Sequence, residues 1–309
     1  MAAMTSSEPP VSAYQYTLCI PTAGKGTRMG GLCQSLNKAL LPLPDGRAVI
    51  SHIIDKFPKE KTKFVIALGY KGDQVRFYLE KQHPDIPFKF CLVENFDGPG
   101  SGPGLSLQAC LQEMERQESF YFVACDTLVA DPIPFELQHD WMGVSTVAKE
   151  DSARYCNFKT GVKKEFDDVV STSSSAAALT STARSNIKPA MWISSMYDKQ
   201  PYTEYKTTEE EDTSYIGLSF FYNAEQYWEG LELKDVYTQN ELQMTNGIRH
   251  LVSTCQKPVE AVKFEWTDVG GIDLYMDVVK DPDVLDKKLG FCPALVEILC
   301  KEEGAGEAK

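Results

Sequence analysis

The chain has 309 residues, of which 43% are hydrophobic and 24% are charged, and its formal net charge is −13. A chain of this length and composition can bury a substantial core, and we expect one elaborated domain. The acidic balance argues against a nucleic-acid partner and a membrane partner, because neutralising their phosphates requires a basic stripe.

The amino-terminal segment and the cysteines predict a cytoplasmic protein. Residues 1–13 lack the basic start and apolar stretch of a secretory signal, and no run approaches about 18 apolar residues. The nine cysteines are odd in number and show no Cys-x-x-Cys pair or zinc-like spacing, which is typical of reduced thiols. We expect residues 1–14 to be a disordered tail.

In the first half of the chain, the hydrophobic pattern predicts alternating strands and helices. The predicted strands are residues 16–21, 63–69, 88–93 and 120–124, and the predicted helices are residues 48–57, 71–81 and 105–118. Repeated βαβ units predict a mostly parallel sheet with helices on both faces, which is a three-layer α/β/α fold. Ligands of such sheets bind beyond the carboxyl ends of the strands.

The pattern is looser in the second half of the chain. Residues 141–148, 215–222 and 262–266 are predicted as strands, and residues 242–251 and 292–302 as helices. A segment rich in Ser, Ala and Thr, about residues 168–188, is expected to be a flexible insertion. We expect the domain to span residues 15–280, followed by a carboxyl-terminal helix and tail over residues 281–309.

A glycine-rich loop follows the first predicted strand. It reads Ala23-Gly24-Lys25-Gly26-Thr27-Arg28-Met29, and Lys38 stands ten residues beyond Arg28. Glycines let the backbone approach an anion closely, so that its amide groups can donate hydrogen bonds to the phosphates. Fixed cations neutralise the phosphate charge that the amide groups do not compensate. The loop lacks the third glycine of a Rossmann fingerprint and the Gly-Lys-Ser/Thr of a P-loop. It predicts a triphosphate site, with a tight turn required by sterics alone as the alternative.

This loop resembles the signature of the sugar-phosphate nucleotidyltransferases, which reads Gly-x-Gly-Thr-Arg-Leu/Met and then Pro-Lys. The residues that match in identity and spacing are Gly24, Gly26, Thr27, Arg28, Met29 and Lys38. One position departs, because Asn37 stands where the family usually has proline. The resemblance covers roughly residues 16–280, and it implies a Rossmann-like, GT-A-like fold.

The resemblance also implies roles on the nucleotide side. Arg28 would contact the leaving pyrophosphate and Lys38 the α- and β-phosphates. Gly100-Ser101-Gly102 is similar to the Gly-Thr-Gly/Ala segment that binds the base, with a flexible connector as the alternative. The residues expected to bind the nucleotide are therefore Ala23, Gly24, Gly26, Thr27, Gly100, Ser101 and Gly102.

Two acidic residues suggest a metal site. Asp126 follows a buried apolar strand, and Asp268 follows another strand-like run in Trp266-Thr267-Asp268-Val269-Gly270. An acid at the carboxyl edge of a sheet can hold a divalent cation against phosphates, although it is also a common turn cap. The resemblance implies that Asp126 and Asp268 together bind Mg²⁺.

The middle of the chain resembles the acceptor side of the family. Arg154-Tyr155-Cys156 is similar to Pro-x-Arg-Tyr-Gly, with Cys156 in place of the usual glycine, which would narrow or reshape the sugar pocket. Asp198-Lys199-Gln200-Pro201 is similar to Glu-Lys-Pro, so Asp198 would contact the sugar and Lys199 the acceptor phosphate. An exposed charged turn is the alternative for this segment.

The function implied is transfer of a nucleoside monophosphate from a nucleoside triphosphate to a sugar 1-phosphate, with Mg²⁺ and without a covalent intermediate. The alternatives are a cytidylyltransferase that activates a non-sugar phosphate such as phosphocholine, a silent nucleotide-sugar-binding regulatory subunit, and a glycosyltransferase. A glycosyltransferase would normally carry Asp-x-Asp, and Asp126-Thr127-Leu128 lacks the second acid. The sequence leaves open the nucleobase, the acceptor, allosteric regulation and the oligomeric state, including a homo-oligomer.

Overall fold

The computed structural model describes residues 14–161, 190–199, 213–233, 238 and 240–280. Three of the sequence expectations lie outside the described residues: the amino-terminal tail apart from residue 14, the insertion at residues 168–188, and the segment after residue 280 with its predicted helix. None of the described helices has the length and apolar character needed to cross a membrane.

Strands and helices alternate through the first half, as the sequence predicted. The described strands are β1 (Tyr16–Pro21), β2 (Thr62–Leu68), β3 (Lys89–Leu92), β4 (Phe120–Val123), β5 (Thr127–Val129), β6 (Asp140–Thr146), β7 (Cys156–Gly161), β8 (Trp192–Asp198), β9 (Thr213–Phe221), β10 (Val259–Lys263) and β11 (Trp266–Asp268). The described α-helices are α1 (Leu32–Ser35), α2 (Val49–Ile54), α3 (Gly72–Gln82), α4 (Pro103–Ala109), α5 (Ala224–Leu231), α6 (Thr245–Ser253) and α7 (Ile272–Val279). Short 3₁₀ turns cover Thr27–Met29, Lys38–Leu40, Lys59–Lys61, Cys110–Gln112 and Lys149–Arg154.

Nine of the described strands form one sheet in the order β3-β2-β1-β4-β9-β6-β10-β8-β7. The pairs β1–β2, β1–β4, β2–β3 and β6–β10 are parallel. In contrast, β9 runs antiparallel to both β4 and β6, and β8 runs antiparallel to β7 and β10. The α/β fold is confirmed, but the sheet is mixed rather than mostly parallel. Strands β1 to β4 form the parallel part of the sheet at one edge, and successive strands there are joined through helices. Such a crossover connection is what parallel pairing needs.

Alternate residues of β1 belong to two different hydrophobic clusters. Leu18 and Ile20 pack with residues of α2 and α3. Cys19, whose side chain points to the opposite face of the sheet, packs with residues of α4, α5 and α6. Each fully buried aliphatic side chain in such a cluster contributes about 1.5–3 kcal/mol, so the core holds the strand ends, and the loops beyond them, in fixed positions.

One predicted helix ends well before the sequence pattern suggested, and the reason is a tertiary contact. The helix predicted over residues 105–118 is α4, which ends at Ala109 and is followed by a 3₁₀ turn. Glu118 instead turns to β1 and β2, where it accepts hydrogen bonds from Thr17 and from Lys63 at 2.8 Å.

The strand predicted over residues 262–266 divides into β10 and β11. Strand β10 ends in the main sheet at Lys263, whereas β11 leaves that sheet and pairs antiparallel with β5. This two-stranded β5–β11 ribbon carries Asp268 next to the end of β4.

Candidate functional site

The glycine-rich loop leaves β1 and enters the 3₁₀ turn Thr27–Met29. Gly26 has a left-handed backbone (φ 66°), and a Cβ there would lie 2.9 Å from Cys33 Sγ and 3.3 Å from Lys38 Cβ. Glycine is therefore required both by the turn and by the close approach of Lys38. A Cβ at Gly24 would meet no described atom within 4 Å, so the loop presents open backbone to a ligand at that point.

Asn37, which stands where the resembled signature has proline, is completely buried and holds Lys38 in place. Its side-chain amide donates to the carbonyls of Thr22 (3.0 Å) and Tyr70 (2.7 Å), and its carbonyl oxygen accepts from the Ala39 N–H (2.9 Å). Its own N–H donates to Gln74 Oε1 at 2.9 Å. These four hydrogen bonds supply the rigidity that a proline ring would otherwise give to the approach of Lys38.

Lys38 and Asp126 form a hydrogen-bonded ion pair in the site. The Lys38 side chain is only 11% exposed, whereas Arg28 is 57% exposed and lies 4.0 Å from Asp126 Oδ2. Burial alone would raise the pKa of Asp126, but the charge and hydrogen bond of Lys38, together with Arg28, hold it below its ordinary value. Despite burial, the neighbouring carboxylate likewise keeps the pKa of Lys38 above its ordinary value. Both groups are charged at neutral pH.

Asp268 is brought to Asp126 by the ribbon. Asp268 pairs with Thr127 in the β5–β11 register, and the Val269 N–H donates to the Asp126 carbonyl at 3.1 Å. A Cβ at Gly270 would lie 2.5 Å from Asp126 Oδ2 and 2.7 Å from Asp268 Oδ1. The two carboxylates therefore border one small space that only glycine leaves open. Burial and the like charge of Asp126 raise the pKa of Asp268.

Tyr155 lies behind Asp268. Its hydroxyl donates to Asp268 Oδ2 at 2.7 Å, and its ring packs edge-on against Trp266 with centroids 5.4 Å apart. Burial, and then the charge of Asp268, raise the pKa of Tyr155, so the phenol stays neutral and keeps its donor. The position predicted to line a sugar pocket thus fixes the orientation of a predicted metal ligand.

The loop predicted to bind the base is tied to the segment before α6. The Gly100 N–H donates to the Asn240 carbonyl, the Leu242 N–H donates to the Ser101 carbonyl, and the Gly104 N–H donates to the Leu242 carbonyl, each at 2.8 Å. Gly102 has φ 123°, and a Cβ there would lie 2.8 Å from the Leu242 carbonyl oxygen. The glycines in this loop allow two backbone segments to pack in direct contact.

Asp198 and Lys199, which the sequence assigns to the acceptor together, point to different places. Lys199 has a left-handed backbone (φ 46°) and pairs with Glu241 Oε2 at 3.2 Å. Asp198 is buried, pairs with Arg249, and accepts a hydrogen bond from Thr245 Oγ1 at 2.7 Å. Cys156 also lies in the core, in the cluster that includes Ile193, Met196 and Tyr215, so its side chain is accommodated there.

One cleft, with a volume of about 410 Å³, joins these parts. The predicted site residues that line it are Ala23, Gly24, Gly26, Thr27, Arg28, Lys38, Ser101, Gly102, Asp126 and Lys199. Of the other four, Gly100 and Asp198 precede lining residues in the chain, and the Tyr155 carbonyl accepts a hydrogen bond from the Lys199 N–H at 3.0 Å. The fourth, Asp268, borders the space at Gly270 together with Asp126.

Sequence reasoning gave no role to four residues of the cleft with charged or amide side chains, which are Lys25, Asp97, Glu241 and Gln243. Lys25 in the glycine-rich loop pairs with Asp97 at 2.5 Å. Asp97 belongs to the loop of residues 97–104, which is predicted to bind the base and is called the base loop below. Glu241 accepts from Lys199 and, at 3.1 Å, from Gln243. Lys25 could have been noticed as a cation inside a glycine-rich loop, but the positions of Glu241 and Gln243 depend on the contact of residues 240–242 with the base loop, which has no local signal.

Comparison with known proteins finds a match to a family model for the first part of the chain. Residues 18–136 match the family model of the MobA-like NTP transferase domain. This segment contains the glycine-rich loop, Lys38, the base loop and Asp126. The predicted resemblance to nucleotidyltransferases of the NTP-transferase type is confirmed.

Relatives and solved structures extend this comparison. The bifunctional protein GlmU of Methanococcus maripaludis is 33% identical over 66 residues, which is 21% of this chain and 16% of that protein, so the chain spans only a small part of this curated relative. A UDP-glucose pyrophosphorylase complexed with UDP-glucose superposes with a TM-score of 0.66, at 15% identity, over 86% of this chain and 97% of the other. A CTP:phosphocholine cytidylyltransferase from Streptococcus pneumoniae gives 0.57, at 14% identity, over 86% and 98%. At these identities the likeness shows the fold alone.

The hydrogen bonds of Asn37 generate a stability prediction. Asn37→Ala removes three side-chain hydrogen bonds and leaves the Thr22 and Tyr70 carbonyls unpaired, so we expect the free energy of unfolding to fall by about 2–4 kcal/mol. Urea titration followed by circular dichroism measures this change. Gln34→Ala, at a nearby exposed position, is the control and should change stability by less than about 0.5 kcal/mol. Equal unfolding midpoints for the two variants would show that Asn37 does not hold the loop.

Proposed function

We propose that this chain, whose residues 18–136 match the MobA-like NTP transferase domain, transfers a nucleoside monophosphate from a nucleoside triphosphate to a sugar 1-phosphate and releases pyrophosphate. The observation that carries the proposal is the convergence of Arg28 and Lys38 on Asp126, with Asp268 beside it. Two cations and two carboxylates in one cleft suit a polyphosphate and its metal. We further propose that the domain spans residues 15–280 and works in the cytoplasm.

The proposed step is an in-line substitution at phosphorus. An oxygen of the acceptor phosphate forms a bond to the α-phosphorus, and the bond from that phosphorus to the bridging oxygen breaks, so its electron pair leaves with pyrophosphate. No general base is required, because the acceptor phosphate is already ionised near pH 7. Lys38 stabilises charge on the α- and β-phosphates, and Arg28 stabilises charge on the leaving pyrophosphate.

No covalent enzyme intermediate is proposed. The thiol of Cys125 lines the cleft next to Asp126. Burial and the charge of Asp126 raise its pKa to about 12, so the nucleophilic thiolate is scarce at neutral pH. Direct attack by the acceptor phosphate is therefore the simpler route.

Asp126 and Asp268 would hold Mg²⁺. The space at Gly270 that a Cβ would fill is bordered by one oxygen of each carboxylate, and two carboxylates are the donor set that Mg²⁺ commonly takes from a protein. Bound there, Mg²⁺ would neutralise phosphate charge that develops as pyrophosphate leaves. Tyr155 orients Asp268 by its hydrogen bond, which leaves Oδ1 on the side of Gly270.

On the acceptor side, Lys199 would hold the acceptor phosphate. Its ammonium group faces the cleft but pairs with Glu241, which a phosphate would have to displace. Direct contact of Asp198 with the sugar stays a prediction. In the structure Asp198 is bound by Arg249 and Thr245, and in that position it supports the backbone of Lys199.

The second candidate function is activation of a non-sugar phosphate that carries a cationic group, such as phosphocholine, with CTP. The observation that favours it is Glu241, a carboxylate beside the proposed phosphate ligand, where an ammonium group on the acceptor would find a partner. Gln243 donates to the same carboxylate and fixes its position.

The direct test of the proposed function is release of pyrophosphate by the purified protein with Mg²⁺. The panel would combine ATP, GTP, CTP, UTP and dTTP with sugar 1-phosphates, phosphocholine and related phosphates. We expect release that requires one triphosphate and one sugar 1-phosphate, with none from Asp126→Asn. Release with phosphocholine alone would establish the second candidate. If no combination released pyrophosphate and a nucleotide sugar bound saturably, both candidate functions would be overturned in favour of a regulatory subunit.

The space at Gly270 generates a matched pair of variants. A Cβ in Gly270→Ala would press on Asp126 Oδ2 and Asp268 Oδ1, so we expect turnover to fall by at least about 100-fold, as for loss of a charge-stabilising group. In Gly271→Ala the Cβ meets only the end of the Arg154 side chain, which can move, and turnover should stay within about threefold of the parent. Steady-state rates at saturating Mg²⁺ measure both. Equal rates would show that the carboxylates do not act together.

Glu241→Gln distinguishes the two acceptors by the direction of its effect. For a sugar 1-phosphate, releasing Lys199 from Glu241 should lower the acceptor KM by about two- to fivefold, the range of a partly exposed ion pair. For a cationic acceptor, loss of the carboxylate should raise KM instead. Glu80→Gln, an exposed residue of α3, controls for the change in net charge. An unchanged KM would remove Glu241 from the acceptor site.

A further inference from the structure

Outside the cleft, α5 and the end of α6 bring together three side chains of metal-ligand type. They are Glu229 on α5, His250 on α6 and Cys255 just after α6. One ligand atom from each lies within 4.8 Å of the other two, and His250 Nε2 is 3.8 Å from Glu229 Oε2. None of these residues has a part in the proposed reaction.

Close packing of the two helices creates this arrangement. A Cβ at Gly230 would lie 2.2 Å from His250 Cβ, so glycine at this position allows α5 to contact the His250 side of α6 directly. The N–H of Cys255 donates to the His250 carbonyl at 3.0 Å, and this turn folds Cys255 back against the end of the helix. The His250 side chain is only 12% exposed, whereas Glu229 is 56% exposed.

We propose that Glu229, His250 and Cys255 form a site for a first-row divalent cation, with Zn²⁺ as the best match. Carboxylate, imidazole and thiolate are the three side-chain types that Zn²⁺ takes as ligands. With bonds of about 2.0–2.3 Å, tetrahedral ligand atoms lie about 3.3–3.6 Å apart. His250 Nε2 and Glu229 Oε2 are 3.8 Å apart, and all three ligand atoms lie within 4.8 Å of one another. Side-chain movements of about 1 Å would bring these atoms to the spacing of ligands around one ion, and the exposed Glu229 permits such movement.

The distance between His250 and Glu229 is compatible with two ligands of one cation. At 3.8 Å their nitrogen and oxygen atoms are too far apart for a hydrogen bond but suitably spaced for two ligands of one cation. Three protein ligands leave a fourth position for water at the surface. The chain spacing of these residues resembles no zinc motif, because one ligand comes from a different helix.

A cation at this site would fix α6 against α5. The same helix α6 carries Thr245 and Arg249, which bind Asp198, and Asp198 is followed by Lys199 in the cleft. The site therefore lies near the carboxyl end of the helix whose Thr245 and Arg249 bind Asp198. Its existence does not depend on which reaction the cleft catalyses.

Cobalt provides a direct probe, because a thiolate ligand gives a charge-transfer absorption that oxygen ligands do not. The full chain, reduced and freed of metal with a chelator, is titrated with Co²⁺ and then with Zn²⁺. We expect a thiolate-to-cobalt band and tetrahedral visible bands that saturate at one equivalent and disappear when Zn²⁺ is added. Zn²⁺ should also raise the Tm, as expected for a ligand that binds the folded state.

Matched variants separate this site from the other cysteines and from the carboxylates of the cleft. Cys255→Ser should abolish the thiolate band, and His250→Gln and Glu229→Gln should each weaken Zn²⁺ binding by more than about tenfold. Cys125→Ser, which removes the cleft thiol, and Glu225→Gln, one turn before Glu229 on α5, should leave the band and the affinity unchanged. A band that persists in Cys255→Ser, is lost in Cys125→Ser, or is absent from the parent protein would overturn the proposal. Circular dichroism of Cys255→Ser confirms that the variant is folded.

Discussion

The ion pair between Lys38 and Asp126 is the contact on which the arrangement of the cleft depends. Each charge is largely withdrawn from water, and removing either partner would leave the other charge buried without compensation. The pair joins the segment after the glycine-rich loop to the end of β4, which lie far apart in the chain. Asn37 fixes the lysine from one side, and the β5–β11 ribbon brings a second carboxylate from the other. Charge complementarity therefore positions the loops as much as packing does.

Local sequence indicated the parts of the candidate site that lie close together in the chain. The spacing from Gly24 to Lys38 predicted a phosphate loop, and the apolar run before Asp126 placed that acid at a strand end. The spacing within each of these segments is short-range geometry, which a residue pattern records directly. The pairing of Asp126 with Asp268, which are far apart in the chain, was instead implied by the family resemblance, and the structure brings them together at Gly270.

Long-range contacts account for what the sequence did not predict. The direction of β9 depends on its neighbours β4 and β6, and the end of α4 depends on Glu118 reaching β1 and β2. The segment from Asp198 to Pro201 has the composition of an exposed turn, but Asp198 is buried, where it binds Arg249 and Thr245. Two of the departures from the resembled signatures are also accommodated by their surroundings. Asn37 replaces a rigid ring with hydrogen bonds, and Cys156 packs among apolar side chains.

The β5–β11 ribbon tolerates no inserted residue within its two strands, but it does not constrain the length of the loops between them. Its three paired positions set Asp268 opposite Thr127, and because side chains alternate along a strand, one residue added within either strand would turn a carboxylate to the wrong face. Residues added between the two strands leave this register untouched. Whole loops can therefore change length in that interval, which also holds Lys199, while the spacing of the two acids stays the same. The ribbon thus makes the geometry of the two acids independent of the loops that separate them in the chain.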